Sequence, residues 1–416
     1  MHTSRRSFLA GAAATTGLAA IGGGAFAAQT AGGVTLTEAD PITARERTAR
    51  RTQARALMRE QGIDAIVLEP GSSMIYFTGV KWWLSERLTA AVIPAEGEMF
   101  FVSPTFERPK LLKSLDEERD VTVWEEHEDP FQTLADAMKR HGLNSGRIGM
   151  EREVRFFVSN GLRQAMGAAD IVSAMPVVNG CRVFKSPAEL RLMQRATDIT
   201  IAAYRSIAPR VEDGMMAGDI SAMMTERMSA LGGKTPFSGV QIGEGSAYPH
   251  GLDTPQSLQE GRVVLMDSGC TVDGYHSDVS RTFVFGEPTS RQREIWNHVR
   301  DGQALAFETV RLGVSAGTID DTVRAYYETL GYGPGYGLPG LSHRTGHGIG
   351  LDVHEEINFV SGEETPLAPG MCLSNEPGIY VPGAFGVRIE DCIYMTDSGP
   401  QWFSRPPASI DHPFGA

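Results

Sequence analysis

Along the chain, short continuous apolar runs alternate with segments whose apolar positions recur every three or four residues, the pattern of strands interleaved with helices. The first clear helix covers Arg45 to Gln61 and stops at Gly62. Ile63 to Leu68 is an unbroken apolar run closed by Glu69-Pro70-Gly71, which predicts a buried strand. Met74–Thr78, Thr89–Ile93, Glu98–Ser103, Val121–Trp124 and Arg147–Met150 read as further strands, and Arg108–Leu115 and Pro130–His141 as helices. This alternation predicts an α/β domain over residues 45–180. Trp82 and Trp83 fall in one of its loops, where they serve either core packing or a lid over a neighbouring cleft.

Beyond a boundary near Phe184 the pattern changes. Ser186-Pro187-Ala188-Glu189 combines an N-cap, a proline at the first helical position and a capping-box glutamate, so a long amphipathic helix runs to about Ala208. A second helix, Ala217 to Leu231, ends at Gly232-Gly233. A hairpin follows, from Val263 to Thr282 around Val272-Asp273-Gly274. Two more helices, Ser290–Leu312 and Ile319–Leu330, precede a second hairpin from Leu373 to Asp391. Helix-helix-hairpin therefore occurs twice within residues 186–405, as in a diverged internal duplication.

The N-terminus reads as address rather than fold. Ser4-Arg5-Arg6-Ser7-Phe8-Leu9, an uncharged Ala/Gly-rich run to Phe26 and the small residues of Ala25-Phe26-Ala27 resemble a twin-arginine export signal over residues 1–27. The run is too short and too broken by glycine for a membrane anchor. Such export delivers folded proteins to the periplasm, which suits a metal loaded beforehand. Residues 28–44 are small and polar, and are expected to form a flexible leader. With 416 residues the chain has room for two domains, and a formal net charge of −13 excludes nucleic acid as a partner. Four cysteines without Cys-x-x-Cys spacing make neither a disulfide framework nor a thiolate zinc site, and are assigned to the core.

Candidate chemistry gathers in the second domain. Asp267 and Asp278 sit on the two arms of the first hairpin among apolar neighbours, and Glu376 and Glu390 occupy the corresponding arms of the second across Gly383. A carboxylate on a buried apolar strand is costly unless it is paired or bound to metal. His347 lies between the hairpins in Gly346-His347-Gly348-Ile349-Gly350. Four carboxylates and one imidazole carry too much negative charge to cluster without cations. Two divalent ions would neutralise it, and ligation this rich in oxygen suits Mn²⁺ better than a thiolate-seeking site. A water bridging two such ions becomes hydroxide near neutral pH and attacks carbonyls. His250 and His354 flank the acidic set and are candidates for substrate or supporting roles.

The motifs Met266-Asp267-Ser268-Gly269, Gly346-His347-Gly348-Ile349-Gly350 and Asn375-Glu376-Pro377-Gly378 resemble those of the pita-bread metallopeptidases, a family that includes Xaa-Pro aminopeptidase, prolidase, methionine aminopeptidase and creatinase. The resemblance implies an α+β pita-bread catalytic domain over 186–405, with pseudo-twofold internal duplication. It also implies a smaller creatinase-like α/β domain over 45–180, which favours the proline-peptidase and creatinase branch. On this resemblance Asp267 chelates one ion, Asp278 and Glu390 bridge both, and His347 and Glu376 hold the other. Mn²⁺ is the implied metal, with zinc, cobalt or iron as alternatives. Glu376 would shuttle protons, His250 and His354 would contact substrate and stabilise the tetrahedral intermediate, and Arg388 would orient Glu390. The implied activity is hydrolysis of the imide bond before proline, in a dipeptide or at a peptide N-terminus, by a homodimer. One departure stands out: the family's arginine between the histidine and the first glutamate ligand has no counterpart, because Glu355 to Asn375 contains neither Arg nor Lys, and Asn358 or Ser361 stands in its place. Two other readings follow: a metal-dependent hydrolase or lyase acting on a non-peptide small molecule, and a metal-free relative.

Overall fold

The computed structural model describes residues 30–167 and 169–414; the expected export signal lies outside the described residues. The first domain is built on a six-stranded sheet in the order Asp120–Trp124, Phe100–Pro104, Ala90–Pro94, Ala65–Leu68, Gly146–Met150, Ala169–Ser173. Ala65–Leu68 and Phe100–Pro104 both run antiparallel to Ala90–Pro94, and the remaining pairs are parallel. Helices cover both faces, which is why the central strands are apolar at every position. Ile66 and Leu68 face the helices Ala44–Gln61 and Met175–Arg182, while Ala65 and Val67 face Pro130–Arg140 and Phe156–Met166.

Three features depart from the sequence pattern. Met74–Thr78, expected as a strand for its β-rich composition, lies in the helix Ser72–Thr78, ended by Gly79 at φ 78°. Met74, Tyr76, Phe77 and Thr78 are all buried there, so packing on every side overrides local propensity. The helix Phe156–Met166 carries Val158, Leu162 and Met166 inward but is masked by Gly161, poor for helices. That glycine is required, since a Cβ at 161 would lie 2.5 Å from the Phe131 ring. Finally, much of the expected flexible leader is ordered. Thr30–Ala31 pairs with Val34–Thr35, and Leu36, only 2% exposed, packs with Tyr204 and Ile207. Thr37 donates from N to Asp198 (2.8 Å) and accepts from Arg195 at its carbonyl (2.9 Å), while Thr43 caps the helix Ala44–Gln61 through a capping box with Glu46. Small polar residues surround these few apolar ones, so a composition-based reading misses the strap they form. Of the two tryptophans, Trp82 packs against the core with Lys110 over its ring at 4.2 Å, and Trp83 is 61% exposed.

The second domain repeats a plan. Helices Pro187–Ile207 and Ala217–Ala230 back an antiparallel sheet of Lys234–Ile242, Val263–Val272, Tyr275–His276 and Val279–Val284. Helices Ser290–Thr309 and Ala316–Thr329 back a second sheet of Glu355–Phe359, Gly346–Gly348, Cys372–Asn375, Asp391–Thr396 and Gly399–Trp402. The capping box at Ser186 and Glu189 forms as its sequence suggests. Asp273 (φ 50°) and Gly274 (φ 94°) make the two-residue turn of the first hairpin, between partners Val272 and Tyr275. The second hairpin is interrupted: Cys372–Asn375 pairs with Asp391–Thr396 and Gly378–Val381 pairs with Phe385–Arg388, leaving Glu376, Pro377, Ile389 and Glu390 between two ladders.

The two halves meet along a seam. Glu390 donates from N to the Ser280 carbonyl (3.1 Å), Arg388 N donates to Thr282 Oγ1 (3.1 Å), and Arg281 donates to the Glu390 carbonyl (2.7 Å). Behind it Arg281 and Asp391, 2% and 0% exposed, pair at 2.7 Å. At the junction with the first domain, Arg182 reaches Asp352 (2.7 Å) and Glu355 (2.6 Å), and Lys185 reaches Glu355 (2.9 Å). All four cysteines are free and buried. Among the described residues no helix is long and apolar enough to cross a membrane.

The strap is a stability element. Leu36→Ala is expected to cost about 2–3 kcal/mol, the usual range for truncating a fully buried leucine. Denaturant unfolding would register this, and a loss below about 0.5 kcal/mol would mean that residues 30–44 contribute little.

Candidate metal centre

The carboxylates reach one point because strand register brings them there. Val263–Val272 and Val279–Val284 pair so that Asp267 opposes Ser280, and Asp278 immediately precedes the second strand. Glu376 and Glu390 occupy the gap between the two ladders of the interrupted hairpin, where no strand partner covers them. Pro377, lacking an N–H, is tolerated at that break. His347 sits at the centre of Gly346–Gly348, squeezed between strands on both sides. A Cβ at 346 would lie 2.1 Å from the Ser374 carbonyl, and one at 348 would lie 2.4 Å from that of Glu356. The Gly-His-Gly motif is therefore a steric requirement for bringing the imidazole in.

These side chains line one cleft of about 740 Å³, together with His250, His343, Arg344, His354 and Arg388. His347 Nε2 lies 3.2 Å from Glu376 and 3.7 Å from Asp278, and ligand atoms of Asp278, His347 and Glu390 all fall within 4.8 Å of one another. Arg388 binds Asp267 through Nη2 (2.7 Å) and Ser280 Oγ through Nε (2.9 Å), and that hydroxyl donates to Glu390 (2.7 Å). Arg388 thus orients Glu390 through Ser280 rather than by direct contact. Its Nη1 also holds the Pro249 carbonyl (3.0 Å), next to His250. His354 stands edge-on to His347 with ring centroids 4.3 Å apart, and both His250 and His354 are exposed at the cleft mouth.

The electrostatics of the cluster suit a site that takes up cations. Burial, followed by the charges of its neighbours, raises the Asp278 and Glu390 carboxyls well above their usual range, and burial pushes Glu376 up to about 7. Burial likewise lowers His347 to about 3, so the ring is neutral. With its Nδ1 at 2.9 Å from the Gly348 carbonyl, the ring directs the Nε2 lone pair at carboxylate oxygens. At 3.2 Å the two acceptors need a proton or a cation between them. Asp267 Oδ1, Asp278 Oδ1 and Glu390 Oε1 are moreover buried without any hydrogen-bond partner. Oxygen donors with one neutral imidazole fit Mn²⁺-class ions.

Two cleft residues escape a search for acidic hairpins. His343 and Arg344 come from the loop before Gly346. Tyr380 hydroxyl joins Arg388 Nη1 (3.0 Å) to His343 Nε2 (2.8 Å), and burial lowers His343 to about 3. Their signal lies in Ser342-His343-Arg344-Thr345, polar residues directly ahead of the Gly-His-Gly motif.

The chain resembles known proteins over most of its length. Residues 191–397 match metallopeptidase family M24, and residues 50–184 match the creatinase/prolidase N-terminal domain. Dipeptidase PepE from Mycobacterium ulcerans is 31% identical and superimposes with a TM-score of 0.82, covering 89% of this chain and 98% of that one. A dipeptidase from Pyrococcus horikoshii OT3 is 30% identical with a TM-score of 0.78, covering 86% and 98%. The Xaa-Pro dipeptidase of Lactobacillus helveticus is 29% identical over 355 residues, 84% of this chain and 94% of that protein. A duplicated pita-bread domain with buried carboxylates at its seam, behind a creatinase-type domain, defines a metallopeptidase. The chain belongs to metallopeptidase family M24.

Asp278 offers the sharpest test of the centre. Asp278→Ala is expected to lower metal content and to cut activity by a factor of about 1,000 or more, as loss of a buried carboxylate from the centre should. Full activity with undiminished metal by elemental analysis would show that the centre lies elsewhere.

Proposed function

We propose that the protein is a dinuclear-metal peptidase that cleaves the imide bond before proline. The observation that carries this reading is the grouping of Asp278, His347 and Glu390 ligand atoms within 4.8 Å of one another, with Asp267 Oδ1, Asp278 Oδ1 and Glu390 Oε1 buried beside them without a hydrogen-bond partner. Asp267, Asp278, His347, Glu376 and Glu390 would hold two divalent ions, with Mn²⁺ the best match to the donors. Such ions, when bound, supply Lewis acidity that polarises a carbonyl and makes water acidic enough to attack near neutral pH. The relatives' names supply the bond: an Xaa-Pro dipeptidase and a prolidase share the fold and most of the length. A proline nitrogen carries no hydrogen and its ring fixes the chain, so general peptidases serve this bond poorly.

The chain's own groups divide the remaining work. Glu376, in the cleft beside His347, is placed to take a proton from attacking water and return it to the leaving proline nitrogen. His354 and His250 stand at the mouth, where a scissile carbonyl would lie between them and the carboxylates. Arg388 fixes Asp267 directly and Glu390 through Ser280, preventing drift of either.

A panel of Xaa-Pro dipeptides, Xaa-Pro-Yaa peptides and non-proline dipeptides, assayed with Mn²⁺, tests this. Turnover is expected to concentrate on proline substrates and to vanish with chelator. Absence of turnover on every proline substrate would sink the proposal. Export to the periplasm as a homodimer belongs to the same reading and rests on Arg5, Arg6, Phe8 and Leu9 and on the family resemblance. Fractionation should find the chain shortened by about 27 residues in the periplasm, at twice the monomer mass by light scattering. A cytoplasmic monomer would refute that part alone.

A further inference from the structure

The cleft wall carries two guanidinium groups, and they differ in commitment. Arg388 is fully engaged with Asp267, Ser280, Pro249 and Tyr380. Arg344 forms no ion pair among the described residues and spends only Nη1, donated to Asn358 Oδ1 at 2.8 Å. A guanidinium offers five N–H donors in a planar fork, so most of its donors remain available to the cleft. Asn358 is the strand partner of His347, which ties the position of Arg344 to the register of the metal-facing histidine. The backbone on either side is braced as well. The His343 carbonyl accepts from Arg324 (2.5 Å), and Thr345 donates from N (3.1 Å) and Oγ1 (2.6 Å) to the buried Asp320. The result is an uncommitted cation, rigidly mounted, in the same cleft as His354 and Glu376.

An acidic cluster neutralised by metal does not need this charge, but a substrate anion would use it. In a dipeptide the free carboxylate stands one residue beyond the scissile carbonyl, within about 4–6 Å by covalent geometry; in a longer peptide that position is an uncharged amide. We infer that Arg344, held by Asn358, binds the free C-terminal carboxylate of the substrate and makes this enzyme a dipeptidase rather than an aminopeptidase. The stretch from Glu355 to Asn375 lacks any basic residue. Asn358, one of the two residues standing where a cation was expected, instead holds the cation that arrives from the loop ahead of the neighbouring strand. This inference rests on the proposed peptidase reading.

The test compares the best Xaa-Pro dipeptide of the panel with its C-terminal amide, using the full metal-loaded protein. The wild type is expected to favour the dipeptide by at least about tenfold. Arg344→Met should raise KM for the dipeptide about 100-fold, in line with loss of a charge-assisted bidentate contact, with kcat changed less than about threefold and the amide unaffected. Arg344→Lys should recover part of the loss, since it keeps charge without the fork. Asn358→Ala should shift KM in the same direction, more weakly. Proline as a competitive inhibitor should weaken in parallel, while prolinamide should not. Equal losses on dipeptide and amide, or no loss on either, would overturn the assignment, as would a wild type indifferent to the carboxylate. A wild type that cleaves neither substrate sinks the peptidase reading itself, so the two failures are distinguishable.

Discussion

Four carboxylates confined to one buried seam repel each other, and much of the catalytic domain is arranged to hold them there regardless. Burial and mutual charge push three of them toward protonation. A surface would relieve such strain by letting the side chains swing away. Here Ser280 and Arg388 clamp Glu390 and Asp267, and the strand register of Val263–Val272 fixes Asp267 opposite Ser280. The cost is recovered only when cations arrive, so folding prepares the site and metal completes it.

Duplication accounts for how a chain can hold like charges at close range. Each half contributes two acids, and the halves join through backbone bonds and the buried Arg281–Asp391 pair, not through the acids themselves. Attraction is placed one layer behind the repulsion. The histidine enters by a different route, since only a strand flanked by glycines can approach both neighbours closely enough. Rigid backing and open mouth are thus separated, with His250 and His354 exposed at the cleft mouth.

Much of this was legible in the residues. Capping boxes, the Asp273-Gly274 turn and the apolar central strands announce their structure because each obeys a local rule. Asp267, Asp278, Glu376 and Glu390 stand out because a charge on an apolar strand has few explanations. What escaped was set by tertiary context. Ser72–Thr78 is helical although its composition favours a strand, and the strap at 30–44 is held by a few apolar residues among many polar ones. His343 and Arg344 lie in a loop whose course depends on Arg324 and Asp320, some 20 residues earlier in sequence, and no local pattern marks that dependence.

The ion cluster at the domain junction ties the first domain to the cleft mouth. Glu355 follows His354 directly, and it is gripped by Arg182 and Lys185 at the end of the first domain. Arg182 and Lys185 thereby brace the segment that carries a cleft-mouth histidine. Rotation of one domain against the other would therefore pull on the segment that carries His354 unless these ion pairs were first broken.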